Sequence, residues 1–218
     1  NDVATLTSES KALTEGDAIL STSGTLTLAD ADATDATVVA QTNAAGTYGK
    51  FNIDTNGAWT YATNDAANQL NAGQVVTETF TVATSDGGSA TVTINITGTN
   101  DVATLTSESK ALTEGDAVLS TSGTLTLADA DATDATVVAQ TDTAGTYGKF
   151  NIDTNGAWTY ATNDAANQLN AGQVVTETFT VATSDGGSAT VTINITGTND
   201  VATLTSESKA LTEGDAVL

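Results

Sequence analysis

The sequence contains no cysteine, proline, histidine or methionine, and its only basic residues are five lysines. Without cysteine no disulfide can stiffen a small domain, so something else must supplement its core. Without histidine or cysteine, zinc and copper lack their usual ligands. Twenty-seven acidic residues against five basic ones give a formal charge of −22. That balance excludes nucleic acid as a partner, because phosphate binding needs basic patches. It excludes direct contact with an anionic membrane surface on the same grounds. No apolar stretch approaches the roughly 18 residues that a membrane-spanning helix requires. No signal peptide is visible either, so the chain is expected to be an internal, soluble segment of a longer protein.

What is abundant is threonine, and β-branched residues dominate the apolar set, a composition that favours strands over helices. The organising feature is a repeat. Gly98-Thr99-Asn100-Asp101 ends one copy and begins the next, and it returns as Gly197-Thr198-Asn199-Asp200. Shifting the sequence by 99 residues (Asn100 minus Asn1) aligns every position but three: Ile19/Val118, Asn43/Asp142 and Ala44/Thr143. A solenoid coil repeats every 20–50 residues or so, whereas this period matches one whole small domain. The expected organisation is a first repeat at 1–99, a second at 100–198 and a partial third at 199–218 holding only a first-strand segment. The partial copy leaves open a boundary shift of about 20 residues, the length of that segment.

Within one repeat, Val3–Ser8 and Lys11–Thr14 read as a broken first strand. Gly24–Ala29 alternates, placing Leu26 and Leu28 inward. Val38 and Val39 begin another strand. Asp54-Thr55-Asn56-Gly57 is a hairpin turn between Tyr48–Ile53 and Ala58–Tyr61, and Trp59 anchors the core with Phe51 or Tyr61. Asn64–Gln74 reads as a polar loop with one helical turn around Ala66–Leu70. Val76–Thr84 alternates with Phe80 and Val82 inward, Ser85–Gly88 turns, and Val92, Ile94 and Ile96 alternate through the last strand. Seven or eight short strands with turn signals between them predict an all-β fold of tandem antiparallel Greek-key sandwiches.

In a Greek-key sandwich successive loops alternate between the two ends. The Asp30–Asp35 loop and the Asp86 turn then share the end nearest the incoming linker, and Glu15 lies at the outgoing end. Stacking two copies brings Glu15, Asn100 and Asp101 together with Asp129, Asp131 and Asp185. Such carboxylates repel unless a hard cation neutralises them, and Ca²⁺ suits a flexible oxygen cage. The equivalent residues are Asp2, Asp30, Asp32 and Asp86 at the incoming end of the first repeat. At the outgoing end of the second they are Glu114, Asn199 and Asp200. Asp17 is a lesser candidate ligand, and Asp65 lies in a loop that could reach the junction. Each motif alone also has a plain reading, since Asp is a common turn former. The Asp30 stretch is not an EF-hand, with Asp35 and Gln41 where that loop needs Gly and Glu. Asp54 and Asn56 belong to the hairpin turn, and Glu9 and Glu78 read as solvated.

The stretches Gly24–Asp32, Gly46–Gly49, Gly57–Tyr61, Phe80–Gly88 and Ile94–Asp101 resemble the VCBS repeat of giant RTX-type bacterial adhesins. More remotely the pattern is similar to cadherin domains. There a first-strand Glu, an Asp-X-Asp, a late Asp-Gly and an Asn/Asp linker cage Ca²⁺. Glu15, Asp129 with Asp131, Asp185, and Asn100 with Asp101 occupy the matching positions. The linker departs from both families at Val102-Ala103, where Ala-Pro is common, and Asn64–Gln74 offers only Asp65 in place of a further acidic loop. The resemblance implies a secreted spacer, exported by a type I system and held at the outer membrane of a Gram-negative bacterium. Its partners would be neighbouring identical repeats of one monomeric chain, and its role projection of a distal domain for attachment and biofilm formation. An enzyme is disfavoured, because only Asp/Glu chemistry is available. A glycan- or surface-binding module is the serious rival; it calls for exposed aromatics, and the candidates, Tyr48 and Tyr61, both fit strand positions. Homophilic adhesion remains a further alternative.

Overall fold

Period-two alternation does most of the folding here, because each strand has one face to bury and one to leave in water. The computed structural model describes residues 2–16, 18–32, 36–115, 117–131 and 135–210. Asp17, Asp35 and the last eight residues of the partial copy lie outside the described residues. Among the described residues the first repeat has strands β1 (Thr5–Leu6), β2 (Glu9–Thr14), β3 (Ser21–Thr25), β4 (Leu28–Ala29) and β5 (Gln41–Ala45). They are followed by β6 (Gly49–Ile53), β7 (Ala58–Thr63), a 3-10 turn at Ala67–Gln69, β8 (Val75–Ala83) and β9 (Ser89–Thr97). The second repeat has β10 (Thr104–Leu105), β11 (Glu108–Thr113), β12 (Ser120–Thr124), β13 (Leu127–Ala128) and β14 (Gln140–Ala144). It closes with β15 (Gly148–Ile152), β16 (Ala157–Thr162), a 3-10 turn at Ala166–Gln168, β17 (Val174–Ala182) and β18 (Ser188–Thr196).

Each repeat is a sandwich of two sheets, β2-β9-β8 facing β3-β7-β6-β5, with β1 and β4 as a short extra pair. All pairings are antiparallel except β2 with β9 and its counterpart β11 with β18, which are parallel. Phe51 of β6 stacks on Phe80 of β8, centroids 4.7 Å apart, and so joins the sheets. Trp59, Tyr61, Val92, Ile94 and Ile96 complete a buried cluster, and the second repeat builds its own from the equivalent residues. At Gly57 the hairpin turns with φ of +85°, where a side chain would be strained.

The three substitutions between copies fall where the fold absorbs them. Ile19 and Val118 are both exposed. Asn43 and Asp142 hold positive φ at a bulge, a conformation that Asn and Asp tolerate best among residues with a Cβ. Thr143, standing where the first repeat has Ala44, gains a hydrogen bond to Gln140 Oε1 at 3.2 Å.

Several sequence expectations are corrected. Gly24–Ala29 is not one strand. β3 leaves β7 after Thr25, and Leu28 of β4 pairs with Leu6 of β1, so Leu26 is buried while Leu28 is half-buried. Val39 is exposed, and Val38 only bridges to Thr84 before β5 begins at Gln41. Glu9 and Glu78 are not solvated. Glu9 accepts the Trp59 indole N–H at 2.9 Å and pairs with Lys11 at 2.8 Å. Glu78 is buried and accepts the Tyr61 hydroxyl at 2.5 Å. Burial first, then this carboxylate, push the Tyr61 hydroxyl well above its ordinary pKa, so it stays a donor. In the partial third copy, residues 201–210 carry no secondary structure and are exposed.

Because the two buried clusters share no residues, damage to one should leave the other standing. Trp59→Ala should destabilise the first repeat by about 3–5 kcal/mol. Urea unfolding followed by circular dichroism should then become biphasic, while Trp158 fluorescence keeps the parental midpoint. A single lowered midpoint for both signals would mean that the repeats unfold as one unit.

Candidate metal centre

The linker between the repeats runs extended, and alternate backbone N–H groups along it each meet a carboxylate. Thr99 N–H donates to Glu15 Oε2 at 2.7 Å, Asp101 N–H to Asp131 Oδ2 at 2.8 Å, and Ala103 N–H to Asp185 Oδ2 at 2.5 Å. The first acceptor belongs to the preceding repeat and the other two to the following one. A proline at position 103 would have no N–H to offer. The Val102-Ala103 departure therefore exchanges a stiff residue for a hydrogen bond to Asp185.

Glu15 closes β2 at the outgoing end and is 5% exposed, while Asp131 is fully buried. Both occur in a chain whose described lysine ion pairs go elsewhere, to Glu9, Glu108 and Asp142. Glu15 Oε1, Asp129 Oδ2 and Asp131 Oδ1 are buried without any hydrogen-bond partner. So is the amide Oδ1 of Asn68, whose Nδ2 donates to Asp101 Oδ2 at 2.9 Å. Glu15, Asp65, Asn68 and Asp129 line one cavity of about 470 Å³. A second, of about 640 Å³, is lined by Asn68, Asn100, Asp101 and Asp129. Asn68 and Asp129 stand in the wall of both.

Among the described residues, no three carboxylates converge into a closed ligand cage. Each of these acids commits one oxygen to a backbone donor, and Asn68 contributes an amide rather than a carboxylate. The oxygens left over decide the chemistry. A buried carboxylate oxygen without a donor costs roughly 1–3 kcal/mol or more, and every atom left over here is an oxygen. Oxygens of this kind suit a hard divalent cation, and Glu15, Asn68, Asp129 and Asp131 are the residues that would hold one.

The other predicted residues are placed as follows. Asp185 has both oxygens engaged, the second by the Thr183 hydroxyl. Its first-repeat equivalent Asp86 likewise accepts Ala4 N–H and the Thr84 hydroxyl, each at 2.5 Å. Asn100 is exposed and donates to the Asp101 carbonyl at 3.0 Å. Asp2 donates its N–H to Asp32 Oδ2 at 2.7 Å, and both residues are exposed, unlike Asp101 and Asp131 at the inner junction. Asp30 is half-buried, with Oδ2 unpartnered. Glu114 is 3% exposed, accepts Thr198 N–H at 2.6 Å and has Oε1 unpartnered, while Asn199 and Asp200 are exposed. Sequence reasoning passed over Asn68 and Thr99. An amide within an Asn-rich loop gives no ligand signal, and Thr99 contributes only its backbone and hydroxyl.

The profile of the bacterial cadherin-like domain matches residues 1–98 and again 100–197. A calcium-binding lectin, RapA2 of Rhizobium johnstonii, is 33% identical over 178 residues, which cover 71% of this chain and 74% of the lectin. Among solved structures, mouse cadherin-23 EC22-24 is 16% identical with a TM-score of 0.48, over 90% of this chain and 67% of that one. Human protocadherin-24 EC1-2 is 14% identical with a TM-score of 0.47, over 91% of this chain and all of that one. Likenesses at that level add nothing to the sandwich described above.

The two Asp–Gly turns give a pH prediction. The Ala103 N–H first, then the Thr183 hydroxyl, hold the Asp185 carboxyl below its ordinary range. For Asp86 the Thr84 hydroxyl leads and the Ala4 N–H follows. A depressed folded pKa means that the unfolded chain binds protons first as pH falls. The stabilisation is therefore complete above about pH 4, the unfolded value, and is lost below it as pH drops through the lowered folded values. A double variant, Asp86→Asn with Asp185→Asn, should melt lower at neutral pH and lose less melting temperature on further acidification than the parent. Equal acid slopes would remove these two groups from the account.

Proposed function

The chain belongs to the bacterial cadherin-like domain family, in two tandem copies, and on that premise we propose that it is a Ca²⁺-rigidified extender of a large bacterial surface adhesin. It is not an enzyme: its family is cadherin-like and its curated relative is a lectin, both non-catalytic. The observation that carries the reading is the set of buried oxygens without donors, on Glu15, Asn68, Asp129 and Asp131, drawn from both sides of one linker. A cation there ties the end of one sandwich to the start of the next, so the same atoms that satisfy the oxygens fix the angle between repeats.

In this reading the repeat units are 1–99 and 100–198, with 199–218 a partial third. Their partners are neighbouring repeats of the same monomeric chain, with no role for nucleic acid or for direct membrane contact. Extracellular Ca²⁺ modules bind at roughly 10⁻⁴–10⁻³ M, so the sites would be empty inside the cell and filled outside. That suits a VCBS-type segment of an RTX adhesin, exported by a type I system, anchored at the outer membrane and projecting a distal domain for attachment and biofilm formation.

A second reading is favoured by one observation, the lectin relative: each repeat itself binds saccharide. Its original sequence basis, exposed aromatics, is weakened, since Tyr61 is buried and Tyr48 packs half-buried against the core. Saccharide contacts would then have to come from polar groups.

Small-angle scattering and thermal melts in millimolar Ca²⁺, then in EGTA, test the extender reading. The expected outcome is a stiff, elongated particle that becomes flexible and melts many degrees lower on chelation. Glu15→Gln combined with Asp131→Asn should abolish the difference between the two buffers. An unchanged profile and melt in the parent protein would reduce these acids to turn formers.

A further inference from the structure

Away from the junction, each repeat carries a second polar concavity. In the first it lies between the β5–β6 hairpin and the edge strand β8. It measures about 510 Å³ and is lined by Gly46, Thr47, Tyr48, Thr77, Glu78 and Thr79, among others. The second repeat has its counterpart, about 420 Å³, around Gly145, Thr146, Glu177 and Thr178. Both fall within the range of small-ligand sites, roughly 300–1,000 Å³.

The floor is Glu78, 8% exposed. Its Oε1 accepts the Tyr48 N–H at 2.9 Å and its Oε2 the Tyr61 hydroxyl at 2.5 Å. Glu177 repeats both bonds, with Tyr147 N–H at 2.8 Å and the Tyr160 hydroxyl at 2.5 Å. A carboxylate offers about four acceptor positions, so each Glu keeps capacity for a further donor. Gly46 packs closely against this carboxylate, since an added Cβ there would come within 2.3 Å of Glu78 Oε1, so a side chain at that position would crowd the groove's base.

The outer wall is the free edge of β8. Towards its end, the Thr81 carbonyl is taken by Gln41 Nε2 at 2.8 Å and the Ala83 carbonyl by Val39 N–H at 2.9 Å. Backbone groups along a strand face alternate sides with period two, so those of Thr77 and Thr79 face the same free edge, where the groove opens. That is too short a stretch for an added peptide strand. The lining offers a buried acceptor, threonine hydroxyls, backbone donors and acceptors and part of an aromatic ring. No lysine lines either groove.

We propose that this groove is a saccharide subsite, one per repeat, that binds a neutral oligosaccharide through its hydroxyls, with Glu78 and Glu177 accepting from them. The proposal rests on the saccharide reading given above and assigns it a place that owes nothing to the junction or its cation. A chain of net charge −22 with a carboxylate at the base of the groove repels acidic sugars, which fixes the ligand as neutral.

The test uses the whole chain with neutral gluco-, manno- and galacto-oligosaccharides, and oligogalacturonate as the acidic control, measured by calorimetry and by amide chemical shifts. Binding of at least one neutral oligomer, two per chain, with and without EGTA, is expected. Thr79→Arg with Thr178→Arg, which blocks both grooves from exposed positions, should weaken it by about tenfold or more. Glu78→Gln with Glu177→Gln should do the same, with the fold checked by melting. If the parent binds a neutral oligomer equally well when the grooves are blocked, the groove assignment falls and the saccharide reading stands. If the parent binds none, both fall. Binding of oligogalacturonate alone and only with Ca²⁺ would move the site to the junction, and perturbation of β8 by an extended peptide instead would assign the edge to a strand partner. Either result overturns the proposal.

Discussion

Everything at the repeat boundary depends on backbone N–H groups of an extended linker being held by carboxylates. Thr99, Asp101 and Ala103 present their N–H groups in turn, and Glu15, Asp131 and Asp185 receive them. Charge-assisted bonds of this kind are roughly twice as strong as neutral ones. They also need free N–H donors, which accounts for a linker without proline. The acids are therefore not decoration on loops. Glu15 and Asp131 each hold the linker on one oxygen and keep a second, unpartnered oxygen that a cation would engage, whereas both oxygens of Asp185 are hydrogen-bonded.

The sandwich interior shows the same economy. One edge is closed by Glu9, whose carboxylate meets the Trp59 indole, and the other by Glu78, whose carboxylate meets the Tyr61 hydroxyl. Both aromatic partners sit on β7, the strand next to the middle of the larger sheet. Lys11, more than the indole, holds the Glu9 carboxyl below its ordinary value. With no disulfide available, these two polar ties and the Phe51–Phe80 stack between sheets supplement a small core.

Much of this was legible in the residues, and the failures have a common cause. The repeat period, the Asp54–Gly57 hairpin and the alternation of β8 and β9 were plain because local pattern and tertiary role agree there. Glu78 was misjudged although it shares parity with Phe80 and Val82, and Glu9 shares parity with Leu13. Charge points these side chains to water while strand parity points them inward, and the fold satisfies both by giving each Glu an aromatic donor. Gly24–Ala29 misled differently, since alternation continues unbroken across a change of sheet and carries no mark of it. Asn68 was invisible because an amide takes its meaning from what surrounds it, here Asp101 and a buried cavity wall.

The near-identity of successive copies has a consequence for how such a chain changes. Excising any one 99-residue unit (Asn100 minus Asn1) joins Gly98-Thr99 to Asn199-Asp200, which reproduces the parental junction residue for residue. Length can thus grow or shrink in whole units by recombination between copies, and no new interface has to be selected. Reach is counted in integers, and every integer folds by the same rules.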